Sequence, residues 1–247
     1  IEILNNIEKS QIELELFDKA IKNFTKSLYL NNKNFDTLFN LGIVYFSKEL
    51  YFEALKNYTK AIEIDSNSDK LNYNIAILFS KIGKRKESIK YFKKTININK
   101  NHFKAYNNLA LILYDENKYN DALNYLYDSI KINPKYALAF NNIGNIYLAK
   151  KDYRLALNNF TIAYNLDNNL AVSGIQKHFI KRTFCDWSEN TELKNILKKS
   201  IETDQNVSPW FALSLEDNPN NHFLRAKNFT KKFKLLRDNK NKYSNKK

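Results

Sequence analysis

The chain has 247 residues, with 40 Lys+Arg against 26 Asp+Glu, a formal charge of +14 and a sequence pI of about 9.5. Hydrophobic residues at 43% suffice for a core, whereas four Gly, none in a G-x-G or G-x-x-x-x-G-K pattern, exclude a phosphate-cradling glycine loop. One cysteine, Cys185, excludes an intramolecular disulfide framework and a cysteine-rich zinc site.

No apolar run approaches the roughly 20 residues that cross a bilayer, so no membrane association is expected. The opening Ile1-Glu2-Ile3-Leu4 has neither a basic n-region nor an apolar h-region. Together with the reduced cysteine, these features make cytoplasm the expected compartment and a fragment of a longer protein the expected form.

Internal repetition organises the chain. Gly42 and Gly144, like Tyr45 and Tyr147, stand 102 residues apart, three times 34. Taken in order, the predicted units run near 1–34, 35–68, 69–102, 103–136 and 137–170, each a pair of helices. The first carries Phe17-Asp18-Lys19-Ala20-Ile21 and Phe24. The second carries Leu38, Leu41, Gly42, Tyr45, Ala54, Tyr58 and Ala61, and the fifth repeats that series as Phe140, Ile143, Gly144, Tyr147, Ala156, Phe160 and Ala163. The third and fourth units place Ala76 and Ala110 where the others have Gly, and Pro134 closes the fourth. Small residues at such offsets belong where two helices cross closely, and large ones fill the space between successive pairs. In these offsets the chain resembles the tetratricopeptide repeat family, which implies an all-α fold: a right-handed solenoid of about five helix pairs.

One register recurs in all five units as Asn6, Asn40, Asn74, Asn108 and Asn142. About one residue in seven is Asn, so chance fills one chosen register five times in about 1 of 10,000 such chains, or a few in a thousand once all registers are searched. In a stacked solenoid the first helix of each pair lines the concave face, which makes this register a row along a groove. A carboxamide offers two donors and an acceptor, so the row can pair with the backbone of an extended peptide whatever its side chains.

Beyond Ala171 the 34-residue pattern fails in the sequence, while apolar positions keep helical spacing: Ile175, Phe179, Ile180 and Phe184, then Leu193, Ile196, Leu197 and Ile201. Residues 171–236 are therefore expected to be a helical cap, with a helix from Thr191 to Glu202. The motif Cys185-Asp186-Trp187, followed by Ser208-Pro209-Trp210, resembles the bridge between repeats and catalytic halves in protein O-linked N-acetylglucosamine transferases and their SPINDLY-like bacterial relatives. That resemblance implies a substrate-receiving arm for protein partners and, for an intact protein, a nucleotide-sugar donor such as UDP-N-acetylglucosamine. It implies no catalytic residue and no cofactor within this chain. The plainer expectation for Cys185-Asp186-Trp187 is a buried packing corner.

His102, His178 and His222 are scattered and imply no metal site. Residues 225–247 hold ten Lys/Arg and one Asp. Such a tail could bind nucleic acid, but an amphipathic helix followed by a solvated basic linker over 237–247 accounts for it better. The expected function is peptide binding in an Asn-lined groove, as the arm of a protein glycosyltransferase. The alternative is a stand-alone repeat adaptor, with nucleic-acid binding through the tail third. Nothing in the pattern specifies an oligomeric state.

Overall fold

The computed structural model describes residues 2–186, 188, 190–202, 220–221, 223–224, 226–227 and 230. The described residues are helical throughout, with no strand: α1 (Glu2–Leu30), α2 (Phe35–Ser47), α3 (Tyr51–Ile64), α4 (Asp69–Lys81), α5 (Arg85–Ile98), α6 (Phe103–Asp115), α7 (Tyr119–Ile132), α8 (Ala137–Ala149), α9 (Tyr153–Leu166), α10 (Ala171–Thr183) and α11 (Asn190–Glu202). Two compact units result, residues 1–132 and 133–247.

The first unit stacks α1 on three helix pairs, α2–α3, α4–α5 and α6–α7. Each pair turns in the same way. The peptide N–H of Leu50 reaches back to the carbonyl of Tyr45 (2.8 Å), Lys84 to Phe79 (2.9 Å) and Lys118 to Leu113 (2.9 Å). The residue before each of these donors, Glu49, Gly83 or Asn117, has positive φ. This left-handed C-terminal cap satisfies the orphan carbonyls of the first helix and reverses the chain in three residues. First helices are started by side chains that accept a backbone N–H: Asn34 from Thr37 (2.9 Å), Ser68 from Leu71 (3.2 Å) and His102 Nδ1 from Ala105 (3.2 Å). Within the pairs, Leu38, Ala54, Tyr58 and Ala61 are buried together with Leu71, Ile75 and Leu78 of α4. Burial pushes the Tyr58 phenol pKa up. Two hydroxyls fasten second helices to first ones: Ser88 Oγ donates to the Ala76 carbonyl (2.8 Å) and Ser129 Oγ to that of Phe103 (2.9 Å).

The first repeat departs from expectation, because Glu2–Leu30 is one continuous helix and not a pair. The stretch contains neither Gly nor Pro, so nothing in it forces the helix to stop.

The second unit contains the pair α8–α9, with α10 packed on α9 and α11 on α10. Here the 34-residue phase runs further than the sequence suggests. First helices begin at Phe35, Asp69, Phe103, Ala137 and Ala171, each 34 residues after the last. The turn repeats too: Asp152 N–H bonds the Tyr147 carbonyl (2.9 Å) after left-handed Lys151, and Asp186 N–H bonds that of Lys181 (3.0 Å) after left-handed Cys185. Thus α10 is the first helix of a further repeat. Its partner α11 starts at Asn190, three residues later than the phase would place it. Ala171, Ile175, Leu193, Ile196 and Leu197 form the apolar joint of α10 and α11. Around it, Glu192 Oε2 lies 3.0 Å from Lys177 Nζ and 3.1 Å from His178 Nε2.

Cys185 is therefore not the buried corner expected of it: it is exposed, at the C-cap of a repeat helix. Asp186 faces solvent in part and accepts from the Ser188 hydroxyl (2.6 Å), which with the Ser188 N–H holds its carboxyl below the usual range. Trp187, Ser208, Pro209 and Trp210, together with the basic segment 231–247, lie outside the described residues.

Candidate peptide-binding face

In the first unit the first helices form a layer of their own, with α2 against α4 and α6 tied to α4 by a side-chain bond. Asn40, Asn74 and Asn108 occupy one register on these three helices, so helical geometry gives them a common face. Asn40 is exposed, while Asn74 and Asn108 are half-buried. Three residues on, one helical turn along the same face, the register is aliphatic: Ile43, Ile77 and Leu111, with Ile43 and Leu111 among the exposed large apolar side chains. Amides and aliphatic groups thus run side by side along the layer.

The three amides are not equivalent. Asn74 Nδ2 donates to the Lys70 carbonyl one turn earlier in its own helix (2.9 Å). Its Oδ1 accepts no hydrogen bond among the described residues. Asn108 Nδ2 donates to the Tyr73 hydroxyl (3.0 Å), and its Oδ1 accepts from Asn107 Nδ2 (3.2 Å). That rung joins α6 to α4 before any partner arrives. An Asn amide has four bonding positions, so Asn108 keeps two after these contacts.

Tyr73 belongs to a cluster that the sequence did not announce. Its ring meets Phe92 edge-on at 5.9 Å and His102 at 4.6 Å between centroids. Burial pushes its phenol pKa up, partly opposed by the Asn108 bond. Burial also lowers the His102 imidazole below its ordinary value, against the attraction of Asp69. Asp69 accepts from Asn99 Nδ2 at 2.6 Å, and that bond holds its carboxyl below the usual range. Tyr73 directly precedes Asn74, as Asn107 and Asn141 precede Asn108 and Asn142, so the register before the asparagines was the available signal.

In the second unit Asn142 is buried, and its Oδ1 accepts from Asn141 Nδ2 (3.4 Å). Asn141 in turn accepts from Ser173 Oγ (2.9 Å), linking α8 to α10. Gln176, half-buried on α10, continues the carboxamide register. Asn6 lies in α1, its side chain outside the described residues. Among the described residues no group of three or more His, Cys, Asp or Glu could hold a metal ion, and no helix is long and apolar enough to cross a membrane.

Models of the tetratricopeptide repeat match residues 35–68 and 69–102 and, in a second form, 104–133. No curated protein matches the sequence at a significant level. Among solved structures, PilW, described as a widely conserved type IV pilus biogenesis factor, aligns at TM-score 0.66 with 17% identity, over 86% of this chain and 99% of its own. MamA aligns at 0.57 with 25% identity, over 63% and 91%. YrrB, described as a TPR protein with an unusual peptide-binding site, aligns at 0.55 with 20% identity, over 77% and 96%. The identities to PilW and YrrB speak for the fold alone. Family models and helix phase agree that residues 35–133 are tetratricopeptide repeats, and the neighbours share this all-α repeat fold.

Proposed function

We propose that the chain is a protein-interaction adaptor that holds an extended peptide against the first-helix layer of its first unit, at Asn40, Asn74 and Asn108 and, at the same sequence register, Asn6; Asn142 and Gln176 hold that register within the second unit. The observation that carries this is the pairing of two periodic rows, carboxamides beside exposed aliphatic groups, one able to bond a peptide backbone and the other to cover apolar side chains. Each backbone bond contributes about 0.5–1.5 kcal/mol net, so useful affinity requires several rungs together. The test is peptide-array screening followed by fluorescence anisotropy on Asn40→Ala/Asn74→Ala. The double variant should bind extended peptides at least tenfold more weakly with unchanged helical circular dichroism, and unchanged affinity would reject the site.

A narrower form makes the chain the receiving arm of a protein O-glycosyltransferase that uses a nucleotide-sugar donor. Its support is the sequence resemblance at Cys185-Asp186-Trp187 and Ser208-Pro209-Trp210, while every comparison above concerns the repeats. Sugar transfer to a peptide by the full-length gene product would establish it, and the adaptor reading stands without it.

A further inference from the structure

Features that recur every 34 residues answer to the fold, so a surface that breaks the period is not required by it. The outer face of α5 is such a surface. Lys86, Lys90, Lys93 and Lys94 project from it, opposite the buried Ser88, Phe92, Thr95 and Ile96. The same four positions read Asn120, Asn124, Tyr127 and Asp128 on α7, and Arg154, Asn158, Thr161 and Ile162 on α9. On α3 they read Phe52, Lys56, Thr59 and Lys60. Helices α3 and α5 thus show six exposed or half-exposed lysines, against Glu53, Glu63 and Glu87 as their acids. Among the described residues none of the six has a carboxylate within ion-pair distance. Residues 81–94 carry seven basic side chains and one acidic, and 225–247 ten and one, so the rest of the chain is close to neutral.

At the edge of this field stand Leu50 and Phe52, in the turn and first turn of α3, 39% and 72% exposed. We infer that the α3–α5 outer face docks on an anionic membrane surface, the lysines facing lipid phosphates and Phe52 entering the headgroup boundary. Stable attachment takes two signals, a polybasic patch and an apolar anchor, and both are present here. An acidic protein partner fits less well, because lysine is depleted from protein interfaces and arginine enriched. Single-stranded nucleic acid is gripped by aromatic side chains interleaved with cations, whereas Phe52 is the lone aromatic on these two outer faces. This surface is separate from the first-helix layer, so a docked chain keeps its peptide face.

The test uses the full chain with vesicles of phosphatidylcholine alone or with phosphatidylglycerol. A Cys185→Ser/Phe52→Cys variant carrying an environment-sensitive fluorophore at position 52 reports insertion locally, which the basic segment at 225–247 cannot mimic. We expect a blue shift with anionic vesicles and none with neutral ones. Each lysine near an anionic surface is worth about fivefold in partitioning. Replacing Lys86, Lys90, Lys93 and Lys94 with Gln should therefore lower flotation at least tenfold at unchanged melting temperature. Flotation without a signal at position 52, or equal flotation of the Gln variant, would overturn the proposal. So would loss in that variant of duplex DNA or RNA binding with no change on vesicles, which would assign the face to nucleic acid.

Discussion

Gly144 meets Phe160 across the α8–α9 crossing so closely that a Cβ built on Gly144 would lie 2.7 Å from Cε1 of the ring. Phe160 is fully buried, so the ring cannot swing into solvent to make room. Gly144→Ala gains about 1 kcal/mol of helix propensity but must displace a packed aromatic. We expect a net loss of about 1–3 kcal/mol in urea unfolding. A gain in stability would mean that the pair does not cross this closely.

Glu49 and Lys151 sit at φ 58° and 61°, in the turn where Gly83 takes φ 78°. An L-residue in this region costs about 1–2 kcal/mol, partly offset because Gly loses more freedom on folding. Glu49→Gly and Lys151→Gly should each stabilise by about 0.5–1 kcal/mol. Thermal melts decide this, and a lower midpoint for both would refute the shared turn geometry.

The Asn register should split when each rung is truncated singly. Asn142 is buried and bonded to Asn141, whereas Asn40 is exposed. Asn142→Ala is expected to cost about 1–2 kcal/mol by leaving a buried amide partner unsatisfied. Asn40→Ala should stay within about 0.5 kcal/mol of the parent and act only on peptide affinity. Equal costs at the two positions would contradict their different surroundings.

His102 provides a pH dependence with a definite sign. Burial lowers its pKa below the ordinary 6.5, so the unfolded chain binds the proton more readily. Its contribution is therefore present above pH 6.5 and is lost as pH falls from there through the lowered folded value. Asp69, also lowered, acts in a separate window: its contribution disappears as pH drops below the ordinary 3.8 through its folded value. His102→Asn retains an N-cap acceptor for Ala105 and removes the titrating group. The variant should flatten stability between pH 7 and 5, measured by denaturant midpoints. An unchanged slope would place the titration elsewhere.

Repetition made the architecture legible from single residues. Gly42, Gly144, Tyr58 and Phe160 reveal the period because a close crossing admits only a small residue opposite a large one. The period faded where side chains changed but backbone did not: left-handed Cys185 occupies the place of Gly83 and Asn117, and no residue type advertises that conformation there. For the same reason α10 looked like the start of a different segment. In the first repeat the opposite happened, since Phe17, Ala20 and Phe24 fit the pattern while no helix breaker enforces the turn.

Sequence alone determined the helical class, the 34-residue phase from Phe35 to Leu170 and the register that holds the asparagines, because each depends on spacing along one chain. Tertiary structure decided what each asparagine does. Asn40 faces solvent, Asn108 is spent in part on Tyr73, and Asn142 is enclosed beside Asn141. It likewise set the lysines of α5 on one outward face without carboxylate partners among the described residues. Burial and pairing are properties of neighbours brought from other helices, and a repeat that preserves its spacing is free to change those neighbours at every turn.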